Sequence, residues 1–200
     1  AAQLKISDDA IREIITLYTR ESGVRELERC IAYVFRKTVV LLSEGAKKSV
    51  SLRAGSLQQY LGSPKFKPEQ LRRNDEVGLV RGLAWTAAGG EVLDVEAAIV
   101  PGTGKLELTG NLGDVMKESC HAALTYIRSR TAVLGIDPDF YKNYDIHLHF
   151  PEGAVPKDGP SAGITVTVAM VSALTGMPVR HDVAMTGEIS LRGRVMPIGG

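Results

Sequence analysis

Apolar residues recur at helical spacing in the first third of the chain and switch to a mixture of strand-like and helical runs after Asn74. Ser7, Asp8 and Asp9 place a capping hydroxyl and two carboxylates at a helix start, and Ile11, Ile14, Ile15 and Tyr18 then follow helical spacing. After Gly23 a second helix carries Val24, Leu27, Ile31, Val34, Phe35, Thr38 and Leu41 on one stripe and ends near Gly45. The two helices are expected to pack together. A short strand at Val50 to Leu52 and a helical turn around Leu57 to Leu61 complete a unit that is small for an independent core.

Residues 62–74 contain Pro64, Pro68 and several charges, and read as a linker. Beyond it, residues 77–85 and 91–100 are strand-like runs joined across Ala87-Ala88-Gly89-Gly90 as a hairpin, and Lys105 to Thr109 adds a third strand. Residues 112–134 repeat at helical spacing through Val115, Ala122, Ala123, Tyr126 and Ile127, with Gly135 closing the helix. Asp145 to Phe150 alternates, Ile146, Leu148 and Phe150 on one face, His147 and His149 on the other. Near the end, Val183 to Met185 and Ile189 to Val195 suggest another hairpin around Gly187 or Gly193.

Composition narrows the classes. Two hundred residues can bury a real core, and a net charge of +1 gives no general attraction to polyanions. The densest basic stretch, Lys65, Lys67, Arg72 and Arg73, falls in the linker and reads as a solvated segment, so nucleic acid is not indicated. Cys30 and Cys120 lack metal spacing and read as reduced core thiols, which with no leader at Ala1-Ala2-Gln3-Leu4-Lys5 points to the cytoplasm. Residues 159–179 carry no charge, but Gly159, Pro160, Gly163, Gly176 and Pro178 fence off only Ile164 to Leu174, too short to span a bilayer.

That apolar segment gives the chain its candidate chemistry. Ser161 stands at its mouth, inside Pro156-Lys157-Asp158-Gly159-Pro160-Ser161-Ala162-Gly163. A helix start offers unpaired N–H groups and a positive dipole end, which can hold an oxyanion. The same serine could be no more than a helix cap. Gly159 to Gly163 fits the G-x-S-x-G pattern of α/β-hydrolases, but that elbow needs a strand running directly into the serine, and Pro151, Pro156 and Pro160 make the approach a loop. A Ser-His-Asp triad could draw on His147 or His149 with Asp158 or Glu96. The two histidines also form a possible metal fragment, though no third ligand stands nearby and no metal site is assigned. The remaining option is a Ser-Lys dyad. Its lysine must be neutral, and lowering a lysine pKa from about 10.4 to roughly 7–8 costs about 3–5 kcal/mol, normally through burial. Lys157 lies in a polar loop and is a poor base, and Lys105, Lys117 and Lys142 have no better claim.

The long run from Phe150 through Gly163, together with Met185-Thr186-Gly187-Glu188-Ile189-Ser190-Leu191-Arg192-Gly193 and Pro197-Ile198-Gly199-Gly200, closely resembles the bacterial Lon protease family. The resemblance covers essentially the whole chain. Tyr18-Thr19-Arg20-Glu21-Ser22-Gly23-Val24-Arg25-Glu26-Leu27-Glu28-Arg29 resembles the sensor-2 segment of that family's small helical AAA+ subdomain, and Gly82-Leu83-Ala84-Trp85-Thr86 resembles the start of its proteolytic domain.

The resemblance implies an α/β chain. A small all-helical AAA+ lid subdomain over residues 1–62 is followed by a linker over 63–74 and a Lon-type α+β proteolytic domain over 75–200, C-terminally incomplete. It implies that Ser161 is the nucleophile of an ATP-dependent serine endopeptidase and that the Thr186 hydroxyl helps orient the dyad lysine. Asp158, Glu96, His147 and His149 correspond to polar residues lining or bracing the site, and Arg25 matches the sensor-2 arginine that approaches the phosphates of ATP. In the family the lysine follows the Gly-Gly of Pro-Ile-Gly-Gly by a few residues, so the sequence ending at Gly200 is expected to carry the serine without its base. No G-x-x-x-x-G-K-[ST] occurs, so ATP and Mg are expected to bind mainly outside these residues. The implied partners are unfolded or regulatory protein substrates and five further copies in a hexameric ring, in the bacterial cytoplasm, with no membrane. A non-catalytic assembly or regulatory module of an AAA+ machine is the alternative for these residues alone.

Overall fold

A computed structural model describes residues 4–46, 48–66, 74–86, 89–151 and 156–198. Lys67, Pro68, Arg72 and Arg73 of the expected linker, the Ala87-Ala88 turn, residues 152–155 and Gly199-Gly200 lie outside the described residues. The chain divides into two compact units, one of residues 1–70 with 87–89, the other of residues 71–86 with 90–200.

The first unit begins with β1 (Leu4–Ile6), followed by α1 (Asp8–Leu17), α2 (Arg25–Ser43), β2 (Val50–Leu52) and α3 (Gln58–Leu61). Ser7 caps α1 as expected, its hydroxyl accepting the Ala10 N–H at 3.2 Å. The start of α2 has no capping side chain at Val24; instead the Glu21 carboxylate accepts the Glu26 and Leu27 N–H groups, both at 3.0 Å. Those bonds, the Glu26 N–H foremost, hold the Glu21 pKa below the usual carboxylate range. Ala10, Ile14 and Tyr18 of the first helical stretch pack with Cys30 and Leu57, while Val34 packs with Val50, Leu52 and Tyr60.

Two expectations change here. The unit is not all-helical, because β1 and β2 form a parallel pair, Leu4 opposite Val50 and Ile6 opposite Leu52. The buried stripe of α2 runs through Cys30, Val34 and Thr38, leaving Val24 and Phe35 exposed. Val24 is the cap residue, outside the helix, and Phe35 follows buried Val34 by one position, about 100° around the axis from the buried stripe.

The second unit is a five-stranded mixed sheet with helices against one face. Its strands are β3 (Leu79–Thr86), β4 (Gly89–Pro101), β5 (Leu106–Thr109), β6 (Tyr144–His149) and β7 (Ala184–Met185), in the spatial order β5-β6-β4-β3-β7. β6 runs antiparallel to β4 and parallel to β5, and β7 runs parallel to β3. The inward residues Val80, Val95, Ile146, Leu148 and Phe150 meet Met116, Cys120, Ala123 and Ile127 of α4 (Asp114–Ser129) and Val166, Ala169 and Met170 of a second long helix. Burial in this core pushes the Cys120 thiol up to about 12, so it stays protonated and inert at neutral pH.

The expected helix over 112–134 breaks at Arg130, whose backbone leaves helical geometry, and resumes as α5 (Thr131–Leu134) before left-handed Gly135. α6 (Phe140–Asn143) leads into β6. The expected C-terminal hairpin forms around Gly193, one of its two expected turns, but without the segment ending at Met185. Ala184 and Met185 pair with Arg81 and Gly82 of β3, while β8 (Glu188–Ile189) and β9 (Val195–Met196) form the antiparallel pair, turning at Gly193.

Candidate active site

Ser161 sits in a 3-10 turn, Pro160–Ala162, that feeds directly into α7 (Gly163–Thr175). No residue of α7 is more than partly exposed, in keeping with its uncharged sequence. The preceding residues 156–159 are a loop rather than a strand, so the nucleophile elbow of an α/β-hydrolase is absent among the described residues. Nor is Ser161 the cap of α7. The Gly163 N–H bonds to the Pro160 carbonyl and the Ile164 N–H to the Gly187 carbonyl at 3.0 Å, so two of the helix's orphan donors are used by backbone.

The segment after β7 is strapped across this turn. The Ser161 carbonyl accepts the Gly187 N–H at 2.8 Å and the Thr186 hydroxyl at 3.3 Å. Gly163 makes the close approach possible, since a Cβ there would stand 2.6 Å from the Ile189 nitrogen. Thr186 thus lies beside Ser161, with its hydroxyl engaged by the serine's own backbone carbonyl.

Ser161 and Ala162 line a cavity of about 160 Å³ with residues 82–86 of β3, residues 91–93 of β4, Met116 of α4 and the loop residues Pro156, Lys157 and Asp158. Trp85, on its wall, is 76% exposed. Asp158 serves the frame of the cavity. One of its carboxylate oxygens accepts the Met116 N–H at 3.0 Å and the Gly159 N–H at 2.9 Å, capping α4 from a distant loop. Gly113, at the cap position itself, leaves room for it: a Cβ there would be 2.2 Å from the Asp158 carboxyl carbon. Asp158→Ala is therefore expected to cost about 1 kcal/mol, or roughly 3 °C in thermal midpoint, while Asp158→Asn, which keeps an acceptor, costs less. Thermal unfolding of the two variants checks this.

Glu96, His147 and His149 are gathered elsewhere. Glu96 pairs across β4 and β6 with His149, and both histidines point away from the helical layer, opposite to buried Ile146 and Leu148. Thr109 of β5 links them, its hydroxyl 2.9 Å from His147 Nε2 and 2.7 Å from His149 Nδ1. None of the three lines the Ser161 cavity, and no group of three or more His, Cys, Asp or Glu among the described residues is disposed to hold a metal. A triad drawing on these histidines is thus not assembled. Arg25, in the first unit, is the exposed first residue of α2.

Sequence reasoning did not find three contributors to the site's frame: the Asp158 cap on α4, the room at Gly113, and the backbone strap from residues 185–189. Only the Gly-rich run around residues 159–163 hinted at a close approach.

Residues 51–200 match the Lon protease (S16) C-terminal proteolytic domain, and residues 1–50 match the Lon protease AAA+ ATPase lid domain. Similar proteins include the Lon protease of Brevibacillus choshinensis, 56% identical over 99% of this chain and 25% of its own length, and Lon protease 1 of Syntrophobacter fumaroxidans, 56% identical over 98% and 24%. Lon protease 1 of Thermus thermophilus is 55% identical over 99% and 25%. The chain therefore spans about a quarter of the length of these relatives. With a serine-bearing turn facing β3 and β4 across a cavity, and the two domain matches together covering the chain end to end, the chain belongs to the Lon protease family.

Proposed function

We propose that the protein carrying these residues is an ATP-dependent endopeptidase that degrades misfolded and regulatory proteins in the bacterial cytoplasm, with Ser161 as nucleophile. In this reading residues 63–74 link a lid subdomain to the proteolytic domain, and the base is a lysine a few residues past the Pro-Ile-Gly-Gly element. The observation that carries it is the seat of Ser161: a 3-10 turn at a cavity wall, its carbonyl held by Thr186 and Gly187.

The chemistry follows from that seat. The neutral lysine takes the Ser161 hydroxyl proton as the oxygen attacks a peptide carbonyl, and the resulting tetrahedral oxyanion collapses to an acyl-enzyme as the amine leaves with a proton. Water then releases the acyl group and regenerates the serine. Because the Gly163 and Ile164 N–H groups are already bonded, the proposed oxyanion donors are other backbone N–H groups near Ser161, each worth about 3–4 kcal/mol if well placed.

Arg25, exposed at a helix start, suits contact with a phosphate but is a single cation, not a nucleotide site of its own. ATP with Mg would be held mainly by other parts of the protein, where its hydrolysis supplies the work of unfolding substrates. A homo-hexameric ring enclosing the serine sites completes the reading. Among the described residues no helix is long and apolar enough to cross a membrane.

The test is a pH profile of peptide cleavage by the whole protein. A lysine base acts only when neutral, so activity rises with pH through a depressed lysine pKa of about 7–9. A flat profile across that range contradicts the dyad.

A further inference from the structure

Thr165 occupies the first turn of α7, fully buried, and its hydroxyl does something unusual for a helical threonine. Such a hydroxyl ordinarily bonds back to the carbonyl four residues earlier. Thr167 does so, donating to Gly163 at 2.8 Å, and Thr175 does so to Val171 at 2.7 Å. For Thr165 that carbonyl belongs to Ser161, which already accepts from Gly187 and Thr186. The Thr165 hydroxyl instead donates to the Met185 carbonyl at 3.2 Å, the residue immediately before Thr186. Space for this comes from β3: Gly82 pairs with Met185, and a Cβ on Gly82 would stand 3.2 Å from the Thr165 hydroxyl oxygen.

We infer that Thr165 is a positioning residue for the Ser161 nucleophile, acting through the Met185–Gly187 strap; the inference rests on the proposed role of Ser161. The two threonine hydroxyls cross between the segments, Thr165 holding the carbonyl of Met185 and Thr186 holding the carbonyl of Ser161. Loss of the first bond leaves Met185 held only by its pairing with β3, and the donors on the next two residues then lose part of what fixes their distance from the serine turn. A shift of this kind moves the attacking oxygen, so its main effect falls on the rate of acylation. Misplacement by about 1 Å costs on the order of 100-fold.

The experiment compares the whole protein with its Thr165→Val, Thr165→Ser and Ser161→Ala variants on a small chromogenic peptide, with circular dichroism verifying the fold of each. Thr165→Val is expected to lower kcat by about 10- to 100-fold with KM within about twofold, and Thr165→Ser, which keeps the hydroxyl, to recover most of it. If Thr165→Val retains parental kcat while Ser161→Ala is inactive, the positioning role is overturned and the nucleophile stands. Full activity of Ser161→Ala removes both. Equal losses of kcat in Thr165→Val and Thr165→Ser also overturn the inference, since the hydroxyl is then irrelevant. Should Thr165→Val not fold, Gly82→Ala displaces the hydroxyl from the other side, and a folded Gly82→Ala protein with undiminished kcat overturns the inference equally.

Discussion

Ser161→Ala in the whole protein is expected to lower kcat for peptide cleavage on the order of 10⁴-fold or more while leaving the fold intact. The two effects separate because Ser161 plays its structural part through its backbone. Its carbonyl takes the bonds from Gly187 and Thr186, and these survive removal of the hydroxyl. The thermal midpoint should therefore stay close to that of the parent, within the about 0.5 kcal/mol typical of substitutions away from packing and capping features. Cleavage at the parental rate by Ser161→Ala would remove the nucleophile from the account.

The second large effect is expected at Gly163. A methyl group there would stand 2.6 Å from the Ile189 nitrogen and 3.2 Å from the Gly187 carbonyl oxygen, so the obstruction is mainly backbone and cannot rotate aside. Gly163→Ala must push residues 187–189 away from the first turn of α7. Overpacking of this sort costs about 1–3 kcal/mol, and displacement of the strap that holds Ser161 lowers kcat by about 100-fold as well. Gly90→Ala is the control, because no atom lies within 4 Å of its added methyl. Thermal unfolding and peptide cleavage of both variants decide the matter; a Gly163→Ala protein as stable and active as Gly90→Ala would show that the strap is not a constraint.

Much of this architecture was legible where a single segment carries its own signal. The Ser7 cap with Asp8 and Asp9 announced α1, and the alternation of Ile146, Leu148 and Phe150 with His147 and His149 announced β6. Val50 to Leu52 was read as a strand, but the partners of the shortest elements were not legible, because a run of two or three residues has no period to read. β1 exists as a strand only through its pairing with β2, and Ala184-Met185 joins β3 by register, not by any pattern of its own. The break at Arg130 was hidden because apolar spacing continues across it.

Ser161 was legible for a different reason: an uncharged helix preceded by Gly and Pro marks a buried element with an accessible mouth. The bonds that seat it were not legible, since they join residues 20 and 25 positions apart. The histidine pair illustrates the opposite hazard. His147 and His149 looked like candidates beside a serine, yet strand pairing commits them to Thr109 on the sheet face away from the helices. Residue type suggested chemistry there, and topology decided against it.

The central claim is most directly tested by locating the covalent adduct formed when the whole protein reacts with a serine-directed phosphonate. Tryptic cleavage after Lys157 and Arg180 isolates residues 158–180, which carry Ser161 together with Thr165, Thr167, Ser172 and Thr175. Fragmentation of that peptide should place the adduct on Ser161, with no labelling of the Ser161→Ala protein. An adduct on another residue, with Ser161 unmodified in an inactivated enzyme, would contradict the account.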